Sequence, residues 1–229
     1  MQATAYEIVF QKNSACVDCW KLMKPISANE PLSVRSNIVW NAMGSFIYLF
    51  AQWILTYVVV KVLGFTDAGI FSLAMTVAGV FSVVATYGMR SYQASDVEGQ
   101  HSFGIYLRSR VITCILSLAL CMVFTAVNGY SFYVFLCISA YMGFKVLEAV
   151  SDVYQGLLQK EMRLDYVGKS YLVKGIAILV VFIVVVMVFR SLLASICTMS
   201  VVMMLVIVLY ERRRAALFEE KAEGAPEHS

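Results

Sequence analysis

Residues 111–144 read VITCILSLALCMVFTAVNGYSFYVFLCISAYMGF, a 34-residue stretch with no charged side chain. One helical crossing of a bilayer takes about 20 apolar residues. This run is therefore too long for one crossing and long enough for two. Asn128-Gly129 is a turn dipeptide, and it divides the run into helices expected at about 109–127 and 130–150.

Working outward, Ile38–Val60 gives 23 residues and Ala68–Met89 gives 22 more without interruption. Toward the C-terminus, runs at about 170–189 and 192–210 are separated by Arg190-Ser191. The expected fold class is all-α: a polytopic membrane protein with six transmembrane helices, at about 38–63, 68–89, 109–127, 130–150, 170–189 and 192–210. The runs are continuous rather than alternating, which argues against a closed barrel. Composition agrees, with 60% hydrophobic and 14% charged residues among 229, against roughly 45–50% and about 25% in soluble domains. Residues 1–37 lack the apolar core of a secretory signal. They are read as a cytoplasmic arm over 1–36, followed by the bundle over 37–210 and a cytoplasmic tail over 211–229.

Lys and Arg set the expected orientation. With the N-terminus inside, the inner side receives Lys12, Lys21, Lys24, Arg35, Arg90, Arg108, Arg110, Lys160, Arg163, Lys169, Arg212–Arg214 and Lys221. The outer side keeps Arg190, with Lys61 near a helix end. Both termini are expected in the cytoplasm, and the longer connections, 90–108 and 151–169, are expected there too. Arg212–Arg214 read first as a stop-transfer anchor, with lipid head-group binding as the lesser option.

Polar side chains in lipid are costly and mark packing or function. In the first helix Asn41, Ser45, Tyr48, Gln52 and Thr56 recur at helical spacing, and two carboxamides exceed what close packing asks. In the second, Ser72, Thr76 and Gly79 fit plain helix packing. The fourth helix carries more: Lys145, Glu148, Asp152, Gln155, Gln159 and Arg163 follow at spacings of three and four, so a continuous helix puts all six on one face. That helix is expected to continue to about 167, with a bend at Gly156. The structural alternative is a solvated anchor at the interface. The functional reading is the wall of a cytoplasm-facing cavity, to which Lys174 and the Arg90/Arg108/Arg110 group add positive charge. Such a cavity suits a phosphate-bearing anion.

Enzymatic constellations are missing from the sequence. There is no Gly-x-x-x-x-Gly-Lys loop. His101 and His228 have no metal-ligand partners at useful spacing, and Cys16/Cys19 lack the second pair that structural zinc needs. Asp96, Glu98 and His101 share one loop, and solvation is its default reading. No enzyme activity, cofactor, metal or nucleic-acid partner is expected. Cys114, Cys121, Cys137 and Cys197 lie in apolar runs and read as small hydrophobes.

Two stretches carry a resemblance: MRSYQASDVEGQHSFGIYLRSR (89–110) and KVLEAVSDVYQGLLQKEMRLDYVGKSYLVKG (145–175). Both are similar to the corresponding segments of bacterial polysaccharide flippases of the O-antigen and teichoic-acid type. That family belongs to the superfamily that also holds multidrug/cation antiporters. The resemblance spans about Ser36 to Tyr210. It implies a transporter of two pseudo-symmetric six-helix halves around a central cavity. Its implied cargo is an undecaprenyl-pyrophosphate-linked oligosaccharide, moved across the bacterial cytoplasmic membrane for surface polysaccharide export. The family's chains usually carry twelve or more helices, so this chain is expected to act with a second six-helix half or as a homodimer. A non-transporting scaffold, an inactive truncated half and an antiporter-like half remain open as alternatives. Candidate cavity residues are Asn41, Gln52, Arg90, Lys145, Glu148, Asp152, Gln155, Gln159, Arg163 and Lys174.

Overall fold

The computed structural model of the chain describes residues 34–96 and 102–216. Within them the protein is all-α, with six spans long and apolar enough to cross a membrane. The helices are α1 Val34–Leu63, α2 Phe65–Thr86, α3 Met89–Ser95, α4 Phe103–Val127, α5 Phe132–Lys160, α6 Leu164–Phe189 and α7 Leu192–Val206. A π-helical turn, Ile207–Glu211, follows α7, and the chain stays helical to 216. The expected N-terminal arm up to 33, Cys16, Cys19, Glu98, His101, His228 and the end of the tail lie outside the described residues.

The connections explain the up-and-down order. Gly64 (φ 94°) alone separates α1 from α2, and Gly129 (φ 66°) follows Asn128 at the α4–α5 turn. Both need the left-handed region that glycine enters without a Cβ penalty. Ser131 and Ser191 cap α5 and α7, their side chains accepting from the N–H of Val134 and Ala194. Most of the basic residues among those described therefore gather at one end of the bundle, while Lys61 and Arg190 sit at the other.

The core is aromatic and aliphatic, drawn from α1, α2, α4, α5, α6 and α7. Phe71 packs edge-on to Tyr141 and against Phe182, each at 5.8 Å between ring centroids. The outward side of α1 exposes Phe46, Leu49, Phe50 and Trp53. Exposed apolar side chains along a 30-residue helix, about 45 Å long by its rise, suit contact with acyl chains.

Helix α1 meets α6 almost backbone to backbone. A Cβ at Gly44 would lie 2.7 Å from the carbonyl carbon of Gly168, and one at Gly168 would lie 2.9 Å from the amide nitrogen of Asn41. Carbon atoms in good contact sit at about 3.5–4.0 Å, so neither position accepts a side chain unless the helices separate. Gly175 extends the seam, 3.1 Å from the Tyr48 Cα if given a Cβ.

Several boundaries differ from the sequence reading. Helix α4 begins at Phe103 rather than 109, and α3 occupies part of the expected 90–108 loop. Helix α5 ends at Lys160 instead of about 167, because Met162 takes a left-handed φ of 55° and turns the chain. Leu164–Lys169 belong to α6, where Asp165, Tyr166, Val167 and Gly168 are all buried. Gly156 is a seat for α3: a Cβ there would lie 2.9 Å from the Gln93 side-chain Cδ. Finally, the chain does not leave the bundle at 210, since Glu211 is fully buried.

Candidate functional site

A cavity of about 210 Å³ lies inside the bundle, walled by Tyr48, Glu148, Asp152, Tyr171 and Lys174 among others. Its spine is α5. Spacings of three and four keep Lys145, Glu148, Asp152, Gln155 and Gln159 on one face, and Ser151 joins them.

Two networks meet there. In the first, Arg90 of α3 reaches across to α5 and α6. Its Nη1 donates to Asp152 Oδ1 (3.3 Å), Gln155 Oε1 (3.0 Å) and the Tyr171 hydroxyl (3.1 Å), and its Nε donates to Gln159 Oε1 (3.0 Å). Asp152 Oδ2 receives Arg110 Nη2 at 2.9 Å. Arg110, wholly buried, also donates to the carbonyls of Ala85 and Thr86, where α2 ends. Asp152 thus lies between two guanidinium groups.

The second network is deeper. Glu211 Oε1 accepts from Ser170 (2.6 Å), Ser151 (3.0 Å), Gln155 Nε2 (3.1 Å) and Lys174 Nζ (2.5 Å), while Lys174 also donates to Ser151. Glu211 Oε2 is buried and has no hydrogen-bond partner. Gln155 joins the networks, its carbonyl facing Arg90 and its amide facing Glu211. A π turn adds a residue to the helical repeat, and such turns are frequent at functional sites. Here the π turn ends on Glu211 itself.

At the more open side, Lys145 Nζ donates to Glu148 Oε2 at 2.6 Å and the Tyr48 hydroxyl donates to Oε1 at 2.6 Å. The pair expected three residues apart on α5 is formed. Altogether Arg90, Arg110, Lys145 and Lys174 face Glu148, Asp152 and Glu211. In their ordinary charge states these seven groups leave one positive charge in excess.

Of the ten candidate residues, seven come together: Arg90, Lys145, Glu148, Asp152, Gln155, Gln159 and Lys174. Three do not. Arg163 leaves the stripe because α5 has ended; it stands at the residue before α6 and pairs with Asp165 at 3.1 Å. Asn41 and Gln52 are half-buried on α1 and do not line the cavity. The buried face of α1 runs instead through Gly44, Tyr48, Ala51, Leu55 and Val59, which is the face that the glycine seam requires. From the α1 stripe only Tyr48 reaches a carboxylate of the site.

The residues that the candidate set lacks are Tyr48, Arg110, Ser151, Ser170, Tyr171 and Glu211. A signal for Glu211 existed: a lysine in an apolar run, Lys174, calls for a carboxylate partner at the same depth. No known family model, curated protein or solved structure matches the chain.

Proposed function

We propose that this protein is a membrane transporter whose cavity takes the phosphate-bearing part of an anionic, lipid-linked oligosaccharide. The observation that carries the reading is the cavity with the networks around it: Lys145, Lys174, Glu148 and Asp152 line it, and Arg90, Arg110 and Glu211 pair with lining residues from beside it. A charge excess of this sign favours an anion, and Arg and Lys are good donors to phosphate oxygens. The volume, about 210 Å³, is below the roughly 300–1,000 Å³ of sites that enclose a drug-sized ligand. It suits a phosphate group and leaves the glycan and the polyprenyl chain outside the pocket.

The resemblance of residues 89–110 and 145–175 to polysaccharide flippases supports undecaprenyl-pyrophosphate-linked oligosaccharide as the cargo. In this reading the chain sits in the bacterial cytoplasmic membrane with both termini inside, carries out no enzymatic reaction and needs no cofactor. Lys145, Glu148 and Asp152 are each about a fifth to a quarter exposed, which supports a second six-helix half, or a second copy of this chain, closing over them.

A scaffold reading has one observation in its favour: each of the four cations in and around the cavity already has a carboxylate partner. A vesicle assay separates the two. Reconstituted protein should move a fluorescent oligosaccharide-pyrophosphoryl-polyprenol across the bilayer, and Lys145→Ala should abolish that movement at unchanged incorporation. Movement equal to that of empty vesicles, with or without a co-reconstituted partner half, would leave the scaffold reading standing.

A further inference from the structure

A second charged cluster lies at the α5–α6 corner, outside the cavity. Tyr166 is buried at the start of α6, and three cations surround its ring. Arg163 Cζ is 4.5 Å from the ring centroid, Arg214 Cζ 5.2 Å and Lys169 Nζ 5.5 Å. Three charges that close to one centroid are about a Debye length or less from one another at ~0.1 M salt. They repel unless counter-charge is present.

Among the described residues, one carboxylate supplies it. Asp165 is fully buried, and its two oxygens are committed to Arg163 at 3.1 Å and Lys169 at 3.4 Å. Glu211, one turn before Arg214, is turned inward to Lys174. Arg214 has no carboxylate partner among the described residues; it rests on the faces of Tyr166 and Tyr210 instead. Among the described residues, Asp165 is the one carboxylate paired at this corner, shared by Arg163 and Lys169, and Arg214 faces aromatic rings.

Helix α1 holds the corner through hydrogen bonds. Asn37 of α1 donates to the Met162 carbonyl at 2.8 Å and accepts from the Asp165 N–H at 3.2 Å, so it clamps the turn from both sides. Trp40 stands beside Lys169, 5.4 Å from its ammonium. Trp and Tyr collect where acyl chains give way to head groups, and Trp40, Tyr166 and Tyr210 form such a group at the basic end of the bundle.

We propose that this corner binds the phosphate of an anionic phospholipid head group, with Arg214 and Lys169 as its donors and Tyr166 as the platform that holds them. Arg214 presents a planar fork suited to two phosphate oxygens. The aromatic rings, set at a helix end rather than in open solvent, favour a lipid over a free ion. The site is distinct from the cavity and does not depend on the transport reading.

Trp40 gives a direct reporter once Trp20 and Trp53 are replaced by Phe. The protein is reconstituted in phosphatidylcholine vesicles containing a minor fraction of either brominated phosphatidylglycerol or brominated phosphatidylcholine. The expected result is preferential quenching of Trp40 by the brominated anionic lipid. Arg214→Gln or Lys169→Gln should each lower that preference about fivefold, the effect of one basic residue at a membrane surface. Arg214→Lys should retain most of it. Unchanged quenching by brominated phosphatidylcholine shows that each variant is folded and inserted. Arg212→Gln and Arg213→Gln remove the same charge from exposed neighbours and should change little. Equal quenching by both lipids in the parent protein would overturn the proposal. So would equal losses from Arg212→Gln and Arg214→Gln, which would mean a diffuse basic surface. Erasure of the preference by inorganic phosphate would reassign the corner to a free anion.

Discussion

Lys145–Glu148 and Lys174–Glu211 place the same chemistry in two settings, one on the cavity wall and one behind it. The first pair joins residues three apart on α5, with side chains 18% and 28% exposed; the second joins α6 to the end of α7, with side chains 1% and 0% exposed. An ion pair open to water contributes about 0–1 kcal/mol. Breaking a buried one costs about 3–5 kcal/mol, mainly because an uncompensated charge stays behind. The difference teaches how labour is divided in the proposed reading: the sealed pair ties helices together, and the open pair is the one placed to exchange its partner for a ligand.

The largest expected effect follows from breaking the sealed pair on one side. Glu211→Ala leaves Lys174 buried without its carboxylate and should destabilise the bundle by about 3–5 kcal/mol, read from unfolding in mixed detergent micelles. The double variant Lys174→Met/Glu211→Leu should recover most of that loss. No recovery would show that the pair's position, and not its charge, holds α6 to α7.

Gln155 sharpens the comparison because it belongs to both networks. Gln155→Leu keeps the size but removes one acceptor from Arg90 on one side and one donor to Glu211 on the other. The expected loss is about 1.5–3 kcal/mol, the range for hydrogen bonds to charged groups. A double-mutant cycle of Gln155→Leu with Arg90→Ala should show coupling, and additive losses would mean that the networks are independent.

The open pair should behave in the opposite manner. Lys145→Ala should change stability by less than about 1 kcal/mol while sharply weakening anion binding. Glu148→Gln, which removes a competing carboxylate, should not weaken it. Equal losses of binding in both variants would break the partner-exchange account. The smallest effect is expected at Asn41. Its Oδ1 is buried without a hydrogen-bond partner, so Asn41→Leu should be neutral or stabilising by up to about 1 kcal/mol, with transport intact.

Run length and spacing carried much of this molecule. Six apolar runs of about 20 residues gave six spans, and the α5 stripe was legible because Lys145 to Gln159 keep helical spacing. What escaped has local causes. Arg163 continues the arithmetic of the stripe, yet a left-handed turn at Met162 intervenes, and no hydropathy signal marks a left-handed methionine. Glu211 follows the last apolar residues and precedes three arginines, so it reads as solvated tail; the π turn that ends on it is invisible to a 3.6-residue period. Asn41 and Gln52 form a true polar stripe, but Gly44 and Gly168 choose which face of α1 is buried, by backbone proximity rather than by polarity.

The central claim is that the cavity recognises a phosphate-bearing anion through its open pair. The most direct measurement is calorimetric titration of the purified full chain with a short-chain polyprenyl pyrophosphate, with the matching neutral polyprenol as control. The account predicts saturable binding of the pyrophosphate and none of the alcohol, with at least tenfold weaker affinity in Lys145→Ala, about 1.4 kcal/mol, and undiminished affinity in Glu148→Gln. Equal binding of both ligands, or unchanged affinity in Lys145→Ala, would contradict it.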